Sequence, residues 1–92
     1  MGVAEAIRVK LDEALSPVRL KIVDESDRHA GHSGARPEGE THFRVEIVSE
    51  RFRGLDRLAR QRLIYRTLAA ELAGGVHALA LTTRTPEEDA DP

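Results

Sequence analysis

Two short stretches of this 92-residue chain alternate strictly between apolar and polar side chains. Val18, Leu20 and Ile22 are separated by Arg19 and Lys21, and Phe43, Val45 and Ile47 alternate with His42, Arg44 and Glu46. A period of two places each apolar set on one face of a half-buried strand. Between the strands lie residues 24–41, DESDRHAGHSGARPEGET, with three glycines, one proline and almost no apolar bulk. That segment reads as a long exposed loop joining two strands that pair as a hairpin. Loops of such length without structure of their own are commonly functional or disordered.

The flanking segments have the helical period. Val3, Ile7, Leu11 and Leu15 recur every fourth residue, with Arg8, Lys10, Asp12 and Glu13 on the other faces. This predicts an amphipathic helix ended by Ser16-Pro17, because a residue before proline is pushed out of the α region. Gly54 marks a turn. Leu55, Leu58, Leu63, Ile64, Leu68 and Leu72 then follow a helical pattern, as one helix or as a short turn and a long helix. Gly74-Gly75 stops it, since glycine accepts left-handed cap geometry. Val76 to Thr83 predicts a third strand, parallel to the second because a helical crossover joins them. Thr85-Pro86-Glu87-Glu88 is a good helix start. With only the acidic tail, 86–92, behind the threonine, the expectation is a single frayed turn. The predicted class is α+β, an α-β-β-α-α-β(-α) sandwich over residues 1–92. It has one three-stranded mixed sheet with helices on one face.

Composition removes whole classes of function. There is no cysteine, so disulfides, thiolate zinc fingers, cysteine nucleophiles and self-contained iron–sulfur clusters are excluded for this chain alone. Four histidines are the remaining soft ligands or near-neutral bases. Only Phe43, Phe52 and Tyr65 are aromatic, so the core must be mainly aliphatic. The formal charge of −2 argues against a polycation that coats nucleic acid or membranes. It conceals a basic segment with arginines at 51, 53, 57, 60, 62 and 66, and a tail with Glu87, Glu88, Asp89 and Asp91. No signal peptide or spanning helix stands out, which predicts a cytoplasmic protein without a membrane partner. Nothing has the pattern of a nucleophile elbow, a phosphate-binding glycine loop or a paired acid and base, so no intrinsic catalysis is expected.

Several blocks carry a family likeness. Ser26, Arg28-His29-Ala30-Gly31-His32 and Gly39-Glu40-Thr41-His42-Phe43 resemble the loop and second strand of BolA proteins. Val48-Ser49, Arg51-Phe52-Arg53-Gly54, Arg60-Gln61-Arg62-Leu63-Ile64-Tyr65, Leu68-Ala69-Ala70-Glu71-Leu72 and Val76-His77-Ala78-Leu79 continue it in order, from about residue 4 to 88. Gln61 stands where the family often has histidine, and Asp89 near where it commonly has an aromatic. The resemblance implies a fold like class II KH domains and work with monothiol glutaredoxins in iron–sulfur cluster handling. A transcriptional role is a further implication.

By position alone, His77 is a hydrogen-bonded residue at the start of the third strand, on the face with Leu79 and Leu81. His29 and His32 by the same reading are solvated loop residues, and His42 makes a structural hydrogen bond. The resemblance assigns His77 as an iron ligand of a two-iron two-sulfur cluster shared with the glutaredoxin and glutathione. It assigns the second ligand to His29, with His32 as the alternative. A zinc site built from three of the histidines is chemically allowed but has no zinc-like spacing. A chain without thiols needs a partner to supply sulfur, and imidazole in place of thiolate raises a cluster's potential. Protonated imidazole cannot ligate, so such a complex should weaken below about pH 6.

The alternative function is DNA binding through Arg57, Arg60, Arg62 and Arg66, against the plainer reading of a solvated helix face. Leu55-Asp56-Arg57 follows Gly54, so the Gly-x-x-Gly loop of a KH nucleic-acid site is absent. The free protein is expected to be a monomer or a weak homodimer.

Overall fold

The alternating stretches pair as expected in the computed structural model, which describes residues 2–25 and 41–90. Strand β1 (Arg19–Asp24) lies antiparallel to β2 (His42–Val48), with Leu20 opposite Ile47 and Ile22 opposite Val45. Strand β3 (Ala78–Arg84) lies parallel to β2 on its other side, giving the sheet order β1-β2-β3. Central β2 turns Phe43, Val45 and Ile47 into the core, each at most 2% exposed.

Helix α1 (Val3–Leu15) supplies Ile7, Leu11 and Leu15 to that core. It ends at Ser16, which takes a left-handed conformation (φ 43°) ahead of Pro17. Ser49, just beyond β2, ties down this terminus. Its hydroxyl donates to the Leu15 carbonyl at 2.6 Å and accepts the Arg51 N–H at 3.1 Å. One buried side chain thereby satisfies an end-of-helix carbonyl and starts the 3-10 turn Glu50–Phe52.

The region from Gly54 to Gly75 resolves into a turn and two helices. Gly54 has φ +80°, a conformation that disfavours any side chain. Asp56 caps α2 (Arg57–Thr67) by accepting the Ala59 N–H at 2.8 Å. At Leu68 the backbone leaves the helical region, and α3 (Ala69–Ala73) follows. Ile64, Leu68, Phe52 and Val76 complete the buried cluster.

Three expectations need correction. Val18 was expected on the buried face of the first strand but is 66% exposed, because β1 begins one residue later. His77 was expected to share a face with Leu79 and Leu81, yet Val76 is buried and His77 is exposed. The cause is a backbone adjustment before β3: the Val76 N–H still bonds the Glu71 carbonyl at the end of α3, so regular alternation begins only at Ala78.

The third concerns the expected frayed turn, where α4 (Pro86–Ala90) is instead pinned by a capping box and by ion pairs. Thr85 and Glu88 form a reciprocal capping box, Thr85 N–H to Glu88 Oε1 at 2.8 Å and Glu88 N–H to Thr85 Oγ1 at 3.2 Å. Arg53 holds Glu87, Arg60 holds Glu88, and Arg19 holds Asp89. Arg19, Val48 and Arg84 form one row across the sheet, and Asp89 reaches both arginines of it. Val48, between the two arginines in that row, is only 2% exposed.

Candidate functional site

Histidines meet at the corner where β1 ends and β2 begins. His42 opens β2 and His77 immediately precedes β3, and the parallel register pairs His42 with Ala78. Their rings lie edge to face, 6.0 Å between centroids and 65° between planes. Thr41 organises both. It is fully buried, and its carbonyl accepts the His77 N–H at 2.7 Å and the Ala78 N–H at 3.2 Å. Its hydroxyl lies 2.8 Å from His42 Nδ1. The chain leaves this corner at Glu25, whose N–H donates to the His42 carbonyl at 2.7 Å, and returns at Thr41. Arg44 and Glu25 form an ion pair beside it.

His77 therefore has a fixed backbone and an exposed side chain whose ring makes no hydrogen bond among the described residues. A backbone held in place with a ring left open to solvent suits a group that engages a partner. The hydrogen bond expected of His42 is present, and its ring also lies against that of His77. The candidate loop ligands His29 and His32 lie outside the described residues. Among the described residues no three histidine, cysteine or acidic side chains are grouped to hold a metal ion. Sequence reasoning missed Thr41, whose role depends on two strands meeting; its place in the Gly39-Glu40-Thr41-His42 block was the only available signal.

The arginines divide into two populations. Arg60 is structural. Its guanidinium lies 5.6 Å from the Phe52 ring centroid, donates to the Leu55 and Thr83 carbonyls at 2.9 and 3.2 Å, and pairs with Glu88 at 2.7 Å. Its side chain is only 11% exposed, so of the four arginines proposed for nucleic acid this one is already committed. Arg57, Arg62 and Arg66 are exposed and have no ion pair among the described residues. Leu58 and Tyr65 are exposed near Arg62 and Arg66 on α2, 53% and 41% respectively, mixing aromatic and cationic groups. Hydrogen bonds from Arg60 and from the Thr85 N–H hold the pKa of the Glu88 carboxyl down at about 2. The hydrogen bond from Arg53 lowers Glu87 in the same direction.

Comparison with known proteins places this arrangement. A family model described as BolA-like protein matches residues 11–88. BolA-like protein 1 from Homo sapiens is 54% identical over 86 residues, covering 94% of this chain and 60% of the relative. The chain thus spans about three fifths of the length of that mammalian protein. A protein named DNA-binding transcriptional regulator BolA, from Vibrio cholerae, is 45% identical over 86 residues, covering 94% of this chain and 77% of its own. Among solved structures, the BolA domain of SufE1 from Arabidopsis thaliana superposes with a TM-score of 0.84 at 45% identity, covering 96% of this chain and 98% of that one. Among the described residues, no helix is long and apolar enough to cross a membrane.

Proposed function

The chain belongs to the BolA-like family, and from that premise we propose that it is a non-catalytic adaptor for a monothiol glutaredoxin. In this reading it supplies histidine ligands to a two-iron two-sulfur cluster held jointly with the glutaredoxin and glutathione, for cluster assembly, transfer or iron sensing. His77 is one ligand, and His29, or His32 in its place, is the other. The observation that carries the reading is His77 itself, anchored through its N–H to Thr41 and exposed at the corner where residues 25 and 41 meet β2. The donor chemistry fits half of such a site. The chain offers imidazole nitrogen and, with no cysteine, no thiolate. The remaining ligands must then come from a partner, whose sulfur supplies the electron-rich half of the cluster.

The chain's own contribution is positional. Thr41 fixes the His77 main chain and the His42 ring together, so the partner meets one preset imidazole surface. The test is the visible absorption and circular dichroism of the complex with a monothiol glutaredoxin, for wild type and for His77→Ala, His29→Ala and His32→Ala. Loss or displacement of the charge-transfer bands in His77→Ala and in one loop variant is expected. Unchanged spectra in all three would overturn the reading.

A second reading, DNA binding, is favoured by the α2 face on which Arg62, Tyr65 and Arg66 are exposed and the two arginines are without ion pairs among the described residues. Arg57 belongs with them, and Arg60 does not. Affinity should then fall with salt at a logarithmic slope of about 0.9 per phosphate contacted. The slope should shrink in Arg62→Ala/Arg66→Ala.

A further inference from the structure

The outer edge of β3 carries unused hydrogen-bonding capacity. The Ser49 N–H donates to the Arg84 carbonyl and the Ala78 N–H to the Thr41 carbonyl, so even-numbered residues of β3 bond towards β2. In a parallel ladder the alternate residues turn the other way, which aims the backbone groups of Leu79, Leu81 and Thr83 at the open edge. No described strand pairs there. Of these groups, the Thr83 carbonyl is taken by Arg60 at 3.2 Å, which blunts one end of the edge.

Against this edge lies a cavity of about 360 Å³ lined by residues 81–84 of β3, by Arg57 and Arg60 of α2 and by Glu88 of α4. Its charge is positive in effect. Both Glu88 oxygens are engaged by Arg60, at 2.7 and 3.2 Å, and Oε1 also accepts the Thr85 N–H. Arg57 has no ion pair among the described residues. Arg84 lies 3.8 Å from Asp89, which Arg19 engages more closely, and its side chain is 44% exposed.

We propose that this cleft receives an extended acidic segment of a partner protein, which adds as a strand to the β3 edge and places a carboxylate between Arg57 and Arg84. Main-chain pairing with Leu79, Leu81 and the Thr83 N–H supplies affinity, and the arginines select for acidic side chains. The cleft involves residues 81–84, while His77 precedes the other end of the strand. Six residues of extended chain separate His77 from Thr83, about 20 Å. The arginine end of the cleft therefore lies apart from His77, and the proposal does not rest on the cluster reading.

The experiment titrates the isotope-labelled full chain with two hexapeptides of alternating threonine and valine, one ending in two glutamates and one in two glutamines. Saturable amide shifts centred on Leu79, Leu81 and Thr83 are expected with the acidic peptide. Arg57→Gln should weaken that peptide about tenfold, as loss of a charge-assisted hydrogen bond does, and leave the glutamine peptide unaffected. Absence of saturable shifts, shifts centred elsewhere, or no effect of Arg57→Gln would overturn the proposal. So would displacement of the peptide by equimolar inorganic phosphate, which would mark a simple anion site. Edge shifts that follow protein concentration alone would instead make a second copy of the chain the occupant, and would equally overturn it.

Discussion

The backbone N–H of His77 donates to the carbonyl of Thr41 at 2.7 Å, joining the residue just ahead of β3 to the residue just ahead of β2. Since Thr41 also contacts His42 Nδ1 through its hydroxyl, one buried residue sets the positions of both described histidines. Thr41→Val keeps the shape and removes the hydroxyl. It should lower stability by about 1 kcal/mol and shift the His42 ring resonances, measured by chemical denaturation and NMR.

His77→Ala should leave stability nearly unchanged. The ring is exposed, and the main-chain bond to Thr41 survives the substitution. Surface changes of this kind usually stay within about 0.5 kcal/mol. A denaturation midpoint equal to wild type, together with an altered spectrum in the glutaredoxin complex, would separate a ligand role from a folding role. A large loss of stability would contradict the geometry.

Arg60→Lys should not substitute for arginine. A lysine cannot reproduce the planar fork that serves two carbonyls and Glu88 while covering Phe52. A loss of about 1–3 kcal/mol is expected, the range for a charged hydrogen-bond donor removed from a partly buried network. Arg62→Lys, on the exposed face of α2, should cost almost nothing.

Acidification should release α4. Glu88 is held at about 2 and Glu87 is also lowered, each by its arginine. A carboxyl lowered in the folded state stabilises it above the unfolded value and loses that contribution as pH falls through the folded value. The α4 contacts should therefore persist at pH 6 and fail progressively between about pH 4.5 and pH 2. Carbon chemical shifts of residues 86–90 report the change. Melting of α4 above pH 5 would be inconsistent with these pairs.

Gly54→Ala should destabilise by about 1 kcal/mol, although no atom would touch the added methyl group. The cost is conformational, since φ is +80° there. An asparagine at the same position should cost less, because its side chain tolerates left-handed geometry.

Local patterns made most of the architecture legible. Alternation in Val18–Ile22 and Phe43–Ile47 announced the two strands, and the fourfold spacing of Val3, Ile7, Leu11 and Leu15 announced α1. The capping residues around Thr85 announced α4 as well, but not the contacts that pin it. Its acids find their partners on Arg19, Arg53 and Arg60, residues remote in sequence. Charge segregation along the chain looked like a basic patch and an acidic tail, and folding sets part of one against the other. For the site, the resemblance singled out His77, while its surroundings were not readable from spacing.

What the sequence determined by itself was the set of elements, their order and the chemistry the chain could not possess. Periodicity, caps and the absence of cysteine are properties of neighbouring residues or of the whole list, and need no third dimension. Tertiary structure alone decided which arginines are without ion pairs among the described residues, that Thr41 serves both His42 and His77, and that no described strand pairs with the outer edge of β3. Each of those depends on groups brought together across the parallel and antiparallel pairings of β2, and contact between distant residues leaves no local pattern to read.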